Sequence, residues 1–150
     1  MDLILWRHAE AEAAAPGMTD SGRNLTARGR KQAKQMADWL LGQRLPKLSV
    51  VASPTKRTLQ TADALGRHYQ INRKIGPGAG AADLLAAANW PDESGAIMLV
   101  GHMPGLGRLA ALLLSGGEAD WTIKKAGIWW FSNRVRHDET QTILRAVANP

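Results

Sequence analysis

Arginine and histidine side chains follow three apolar runs of this chain, at the points where each run ends. Arg7 and His8 end the first run, His102 closely follows the third, and Arg57 comes five residues after the second. Short apolar runs of this kind predict strands buried on both faces of a parallel sheet. Ligands of such sheets bind just beyond the carboxyl ends of the strands. The sequence therefore predicts that these four side chains share one crevice.

The chemistry of this set fits a phosphoryl group. The two guanidiniums of Arg7 and Arg57 are permanently charged, forked donors whose geometry matches phosphate oxygens. A histidine among cations loses preference for its charged form, so His8 is expected to be a neutral, nucleophilic imidazole near pH 7. His102 could donate a hydrogen bond to the same anion. Phosphoryl transfer needs little more than such positioning and charge stabilisation.

Each of these residues also has a purely structural interpretation when it is taken alone. A histidine after a strand is often a satisfied structural residue, Arg57 could be a solvated helix residue, and Gly101-His102 could be a turn. The Arg7-His8 pair directly after a buried strand is harder to explain in this way. Taken together, the four residues occupy matching positions in three strand units, which favours a functional site.

Strands and helices alternate along the chain, which predicts the fold class. The expected strands are 3–6, 48–52, a short 71–75, 97–100 and a closing pair at 127–132 and 142–147. The expected helices are 26–42 with Thr26 as N-cap, 53–66 with Ser53 as N-cap, 81–89 and 106–114. This order predicts a three-layer α/β/α sandwich. We expect a mostly parallel mixed sheet with an antiparallel edge, in a single domain, 1–150, without a sizeable cap.

Composition narrows the classes of function. Apolar residues make up 45% of the chain and charged residues 21%, as in a globular protein. The net charge of +6 suits an anionic ligand or an acidic partner, and also an ordinary solvated basic surface. No cysteine is present, which excludes disulfides and thiolate catalysis. The basic residues are dispersed without a nucleic-acid recognition motif, and no long apolar segment or signal-peptide pattern occurs. We expect a cytoplasmic protein that binds neither nucleic acid nor membrane.

Four ordered motifs between Leu3 and Leu106 carry a family resemblance. They are Leu5-Trp6-Arg7-His8 with Glu10, Leu25-Thr26-Ala27-Arg28-Gly29, Ser53-Pro54-Thr55-Lys56-Arg57-Thr58-Leu59-Gln60-Thr61-Ala62, and Val100-Gly101-His102-Met103-Pro104. Together they resemble the histidine phosphatase (phosphoglycerate mutase-like) superfamily. The small size of the chain is similar to that of the SixA-type phosphohistidine phosphatases.

The resemblance implies a role for each site residue. His8 would be the nucleophile that becomes phosphorylated, and Arg7, Arg57 and His102 would form the rest of the phosphate pocket. Arg23 is a further candidate for substrate contact, with a solvated loop arginine as the alternative. The implied enzyme needs no cofactor and no metal, and inorganic phosphate is its product.

Two departures from the family pattern bear on the reaction. Ala9 replaces the usual glycine after the Arg-His pair. The loop at 75–83, where larger members carry a proton-donating acid, has no glutamate and only Asp83 at its far end. Glu10 and Glu12 are conceivable substitutes, with exposed loop carboxylates as the alternative interpretation.

The missing acid favours a substrate whose leaving group needs no proton. An alkoxide is very basic, whereas the imidazole of phosphohistidine is a weak base with a conjugate-acid pKa of about 6.5. The sequence therefore predicts a metal-independent phosphatase acting on phosphohistidine in proteins. One alternative is a phosphatase for small phosphate esters that uses Glu10, Glu12 or Asp83 as its acid. Another is a non-catalytic phosphate-binding module, although the intact His8 argues against it.

Overall fold

The fold is a six-stranded mixed sheet with two helices packed on each face. The computed structural model describes residues 1–45 and 47–150. The strands are β1 Asp2–Arg7, β2 Leu48–Ala52, β3 Gln70–Ile71, β4 Ala96–Gly101, β5 Ile128–Arg136 and β6 Glu139–Ala148. The helices are α1 Ala27–Leu41, α2 Lys56–Asp63, α3 Ala81–Ala88 and α4 Gly105–Ser115. The strand order is β3-β2-β4-β1-β5-β6. The predicted three-layer sandwich is confirmed.

The first apolar run is the centre of the sheet. Strand β1 pairs in parallel with β4 on one side and antiparallel with β5 on the other. Ile4 and Trp6 pack towards α1 and α2, whereas Leu3 and Leu5 pack towards α3 and α4. All four side chains are completely buried, because alternate residues of a strand face opposite sides and both sides carry helices here.

The carboxyl ends of three parallel strands lie level with one another. Arg7 of β1 pairs in register with Gly101 of β4, and Ala52 of β2 pairs with Val100. The residue that follows each strand therefore emerges at the same edge of the sheet. Those residues are His8, Ser53 and His102.

The N-terminus of α1 is held close to the segment after His8. The Thr26 hydroxyl accepts a hydrogen bond from the Gly29 amide at 2.9 Å, so Thr26 is the N-cap as predicted. The backbone carbonyl of Glu10 lies against Gly29 so closely that a Cβ there would clash with it. A glycine is required at this point, which gives the Leu25–Gly29 motif a physical reason.

Two local predictions are corrected. Thr55, not Ser53, caps α2, because the Thr55 hydroxyl accepts from the Thr58 amide at 3.4 Å. The third strand covers only Gln70–Ile71, and residues 73–75 form a 3₁₀ turn. The Asn72 side chain caps that turn by accepting from the Lys74 amide at 2.9 Å, which ends the extended backbone early.

The closing pair of strands is longer than predicted. Strands β5 and β6 continue to a two-residue turn at His137-Asp138, where both residues have positive φ. The outer part of this hairpin runs past the end of β1 and is exposed and polar. Apolar patterning could not reveal it, because neither face of that part is buried.

Candidate functional site

His8 presents a free ring nitrogen in a nearly closed environment. The side chain is 9% exposed, and its Nδ1 lies 2.8 Å from the carbonyl oxygen of Ala9. A carbonyl oxygen only accepts hydrogen bonds, so Nδ1 carries the ring proton and donates it. Nε2 then holds the lone pair. A neutral imidazole in this tautomer is a nucleophile.

Burial keeps that imidazole neutral. The pKa of His8 is lowered to about 4, and desolvation by burial is the largest cause. The hydrogen bond to Ala9 raises this pKa, and the positive charges of Arg57, Arg7 and Arg23 contribute to its lowering. Burial is a larger cause of this neutral state than the neighbouring cations, from which the neutral state is predicted in the sequence. The Nε2 lone pair is therefore available at neutral pH.

Arg7 is fixed by a segment that crosses the end of β1. Its Nη1 donates to the carbonyl oxygen of Ile123 at 2.8 Å. The amide of Ala126 donates to the His8 carbonyl at 3.1 Å, and the Trp6 indole donates to the Ala126 carbonyl at 2.9 Å. Residues 123–127 thus form one wall of the site, which we call the β5-side wall. No sequence pattern predicts this wall, because these contacts are to backbone atoms.

Arg57 enters from the first turn of α2 and is nearly buried. Its Nη1 donates to the backbone carbonyl of Asp20 at 2.9 Å, and its Nη2 donates to the Asp20 carboxylate at 3.0 Å. The Arg57 side chain is only 4% exposed, whereas that of Asp20 is 61% exposed. Asp20 therefore approaches the guanidinium from the solvent side.

His102 is paired with the residue that follows β2. Its Nε2 lies 2.7 Å from the Ser53 hydroxyl oxygen, and its ring centroid lies 5.4 Å from that of His8. Burial, followed by the charges of His8 and Arg57, lowers the pKa of His102 to about 3. Ser53 thus supports the second histidine instead of capping α2.

Three buried donor atoms of the site have no hydrogen-bond partner within residues 1–45 and 47–150. They are Nε of Arg7, Nε of Arg57 and Nδ1 of His102. Buried polar groups are normally paired, so a cluster of unpaired ones needs an explanation. An anion with several acceptor oxygens would satisfy all three beside the His8 lone pair. This arrangement can hold a phosphoryl group and attack it.

Arg23 reaches the same region through Asp20. Its Nε donates to one Asp20 oxygen at 3.1 Å, and its Nη2 lies 3.0 Å from the same oxygen in a salt bridge. Its Nη1 donates to the Glu12 carbonyl at 3.1 Å. The charge of Arg23 contributes to the lowered pKa of His8, which places it near the predicted nucleophile. Asp20 itself was not singled out from the sequence. The only available signal was its spacing of three residues from Arg23.

Two of the three candidate acids, Glu10 and Asp83, are engaged in other contacts. The Glu10 carboxylate accepts from the Thr26 hydroxyl at 2.9 Å and lies 3.7 Å from Arg28. Asp83 caps α3 by accepting from the Gly80 amide at 3.0 Å. Glu12 is exposed. Hydrogen bonds from Arg57 hold the pKa of the Asp20 carboxyl below its usual range, so that group is ionised.

Ala9 fits the place where relatives of this pattern carry glycine. Its φ is negative, its side chain is completely buried, and its amide donates to the Thr61 hydroxyl at 3.0 Å. The same hydroxyl donates to the carbonyl of Arg57 at 2.7 Å. Thr61 therefore ties α2 to the segment after the nucleophile, and no glycine conformation is needed there.

Neither a metal cluster nor a membrane helix accompanies this site in the part of the chain that the structure describes. Among those residues, no group of three or more His, Asp or Glu side chains is placed to hold a metal ion. No helix among them is long and apolar enough to cross a membrane.

Comparison with known proteins assigns the family. The family model of the histidine phosphatase superfamily (branch 1) matches residues 3–78. An uncharacterised protein of Picosynechococcus sp. is 33% identical in an alignment of 138 positions that covers 85% of this chain and 82% of that protein. Human 6-phosphofructo-2-kinase/fructose-2,6-bisphosphatase 4 is 40% identical over 68 residues, which are 45% of this chain but only 14% of that enzyme.

Solved structures match over nearly the whole length. A candidate phosphohistidine phosphatase SixA from Agrobacterium tumefaciens superposes with a TM-score of 0.81 at 24% identity, covering 99% of this chain and 97% of that one. The protein histidine phosphatase SixA complexed with tungstate gives 0.77 at 24% identity over 99% and 97%. These likenesses show the fold.

This chain belongs to the histidine phosphatase superfamily, branch 1. Its fold is that of the SixA proteins. Membership and fold together support phosphatase chemistry at a histidine.

Proposed function

We propose that the chain hydrolyses phosphohistidine in proteins through a covalent phosphoryl group on His8. The observation that carries this proposal is the neutral His8 with its Nε2 lone pair, next to three buried donors without protein partners among the described residues. In this proposal Arg7, Arg57 and His102 hold the phosphoryl oxygens. Arg23 contacts the substrate at the edge of the pocket.

The reaction has two steps. Nε2 of His8 bonds to phosphorus while the bond from phosphorus to the substrate nitrogen breaks. The electron pair of that bond stays on the substrate ring, which leaves as neutral imidazole because its other ring nitrogen already carries a proton. Water then attacks the phosphoryl group on His8, which releases inorganic phosphate and restores the imidazole. Arg7 and Arg57 stabilise charge on the oxygens in both transition states. If Ser53 donates to Nε2 of His102, the Nδ1 proton of that ring is left for a phosphoryl oxygen.

The engagement of the nearby carboxyl groups supports phosphohistidine over alkyl esters. Glu10 is bonded to Thr26, Asp83 caps a helix and Asp20 is ionised between two arginines. None of these groups is set up to protonate a leaving alkoxide. A weakly basic imidazole leaves without that help.

Exposed lysines on two sides of the site support a protein substrate with acidic surroundings. Lys124 and Lys125 belong to the β5-side wall, between the residues that bond to Arg7 and to His8. Lys56 precedes Arg57 at the start of α2. Within residues 1–45 and 47–150, none of the three forms a salt bridge. Such free charges attract an acidic partner.

Phosphatase activity on a histidine-phosphorylated peptide should persist in excess EDTA. The positive charge that the reaction needs is supplied by Arg7 and Arg57, so no divalent cation has a role. Vanadate should inhibit competitively, because five-coordinate vanadate resembles the transition state of phosphoryl transfer. Release of inorganic phosphate is the measurement, with a sample lacking enzyme to correct for spontaneous hydrolysis. Loss of activity in EDTA that Mg²⁺ or Mn²⁺ restores would contradict metal independence.

Charge reversal on the β5-side wall should impair acidic protein substrates selectively. We expect Lys124→Glu with Lys125→Glu to lower kcat/KM about 10-fold at low salt for a phosphohistidine peptide flanked by aspartates. The same peptide flanked by asparagines should change by less than about 3-fold, since only long-range attraction is altered.

The matched control reverses two arginines at the far end of the molecule. Arg134 and Arg136 are exposed on the outer part of the β5–β6 hairpin, and Arg134→Glu with Arg136→Glu gives the same change of net charge. This variant should behave like wild type on both peptides. Equal losses in the two variants, or on the two peptides, would argue against a docking role for the lysines.

The cytoplasmic location and the lack of nucleic-acid and membrane partners stay predictions.

A further inference from the structure

The two arginines of the pocket are tethered in the same way. Nη1 of Arg7 donates a hydrogen bond to the carbonyl of Ile123, and Nη1 and Nη2 of Arg57 each donate one to Asp20. In both residues Nε is buried and has no partner among the described residues. Arg7 is thus held at one outer nitrogen and Arg57 at both, and in each residue Nε remains for another acceptor. The difference is that Arg7 is held by a backbone atom and Arg57 by a side chain.

The two carboxylate oxygens of Asp20 accept hydrogen bonds from two different arginines, Arg57 and Arg23. One oxygen accepts from Nη2 of Arg57 at 3.0 Å. The other accepts from Nε of Arg23 at 3.1 Å and lies 3.0 Å from Nη2 of the same side chain in a salt bridge. The backbone carbonyl of Asp20 accepts in addition from Nη1 of Arg57 at 2.9 Å. Asp20 therefore bridges a nearly buried guanidinium and a more exposed one.

We propose that Asp20 is a positioning residue that aims Arg57 at the phosphoryl group, and this inference rests on the proposed function. A planar guanidinium has five donors: an end edge formed by Nη1 and Nη2, and a side edge formed by Nε and Nη2. Asp20 occupies the end edge, because it takes one bond from each Nη atom. The side edge is left for two phosphoryl oxygens. Arg57 can therefore bind Asp20 and the phosphoryl group together.

The exposure of the two partners agrees with this arrangement. Asp20 lies on the solvent side, with its side chain 61% exposed, whereas Arg57 is 4% exposed. The negative charge of Asp20 opposes the approach of a dianion, but it sits at the far edge of the guanidinium. Loss of alignment is expected to outweigh relief of that repulsion, because small misplacements of a binding group can cost up to about 100-fold in rate.

The first test is Asp20→Ala assayed with p-nitrophenyl phosphate and with vanadate binding. We expect kcat/KM to fall and the vanadate dissociation constant to rise by about 10-fold or more. Asp20→Asn should fall between wild type and Asp20→Ala, since an amide oxygen can accept from only one of the two arginines at a time. The matched control is Asp38→Ala, because Asp38 is also 61% exposed and pairs with Lys34 on α1 at 2.8 Å. It should match wild type.

A double-mutant cycle separates positioning from a structural role. If Asp20 acts through Arg57, Asp20→Ala should weaken vanadate binding little further once Arg57→Ala is present. Unchanged or tighter vanadate binding in both Asp20 variants would overturn the proposal, since the carboxylate would then be a competitor. Full additivity with Arg57→Ala would overturn it too. If Asp20→Ala does not fold, Asp20→Asn is used in the cycle. A wild-type chain without any phosphatase activity would instead refute the proposed function.

Discussion

His8→Ala should lower phosphatase activity by roughly 10⁴- to 10⁶-fold and leave the fold intact. The substitution removes the nitrogen that forms the bond to phosphorus, and nothing else in the pocket can replace it. The two long-range hydrogen bonds of the His8 backbone do not involve its side chain: its amide donates to the Gly101 carbonyl at 3.1 Å, and its carbonyl accepts from the Ala126 amide at 3.1 Å. Those bonds persist in the variant, so its thermal unfolding should resemble that of wild type.

The measurement has two parts. Steady-state turnover gives the loss of rate, and rapid quenching with labelled substrate gives the phosphoenzyme. The trapped wild-type intermediate should be labile in acid and stable in base, as phosphorus–nitrogen bonds are. His68→Ala is the matched control, because His68 is an exposed histidine outside the site. Substantial activity in a folded His8→Ala variant would refute the covalent mechanism.

Selectivity for the leaving group should be the second large effect. We expect kcat/KM for a phosphohistidine peptide to exceed that for a phosphoserine peptide of the same sequence by about 10²- to 10⁴-fold, which is the usual contribution of general acid catalysis. Phosphohistidine with a proton on its other ring nitrogen loses neutral imidazole without help from the enzyme, whereas the serine alkoxide needs a proton donor in the site. Activated aryl phosphates should be hydrolysed well for the same reason.

Variants of the nearby carboxylates test the same point. Glu10→Gln and Glu12→Gln should each leave phosphohistidine hydrolysis nearly unchanged, because neither carboxyl group is proposed to protonate the leaving group. A ratio near one between the two peptides would mean that a proton donor operates in the site. A fall in phosphoserine hydrolysis alone in one of these variants would identify it. In that event the assignment of phosphohistidine as substrate should be abandoned.

Much of the site could be predicted from the sequence because it is built from strand ends. Arg7, His8 and His102 directly follow or end buried parallel strands, and a level sheet brings such positions together. An apolar run with a polar residue at its end is a local pattern, so it can be recognised in the sequence alone. The same holds for α1, whose Thr26 cap and apolar spacing depend on neighbours in sequence.

The supporting contacts were decided only by the tertiary structure. Asp20 and Arg57 are separated by 37 residues, Ser53 and His102 by 49, and Arg7 and the Ile123 carbonyl by 116. Nothing in the spacing of a sequence specifies which loop carboxylate or backbone oxygen will approach a given guanidinium, because that depends on how loops close over the sheet edge. The pKa of His8 has the same origin, since burial is its largest cause and burial belongs to the folded chain.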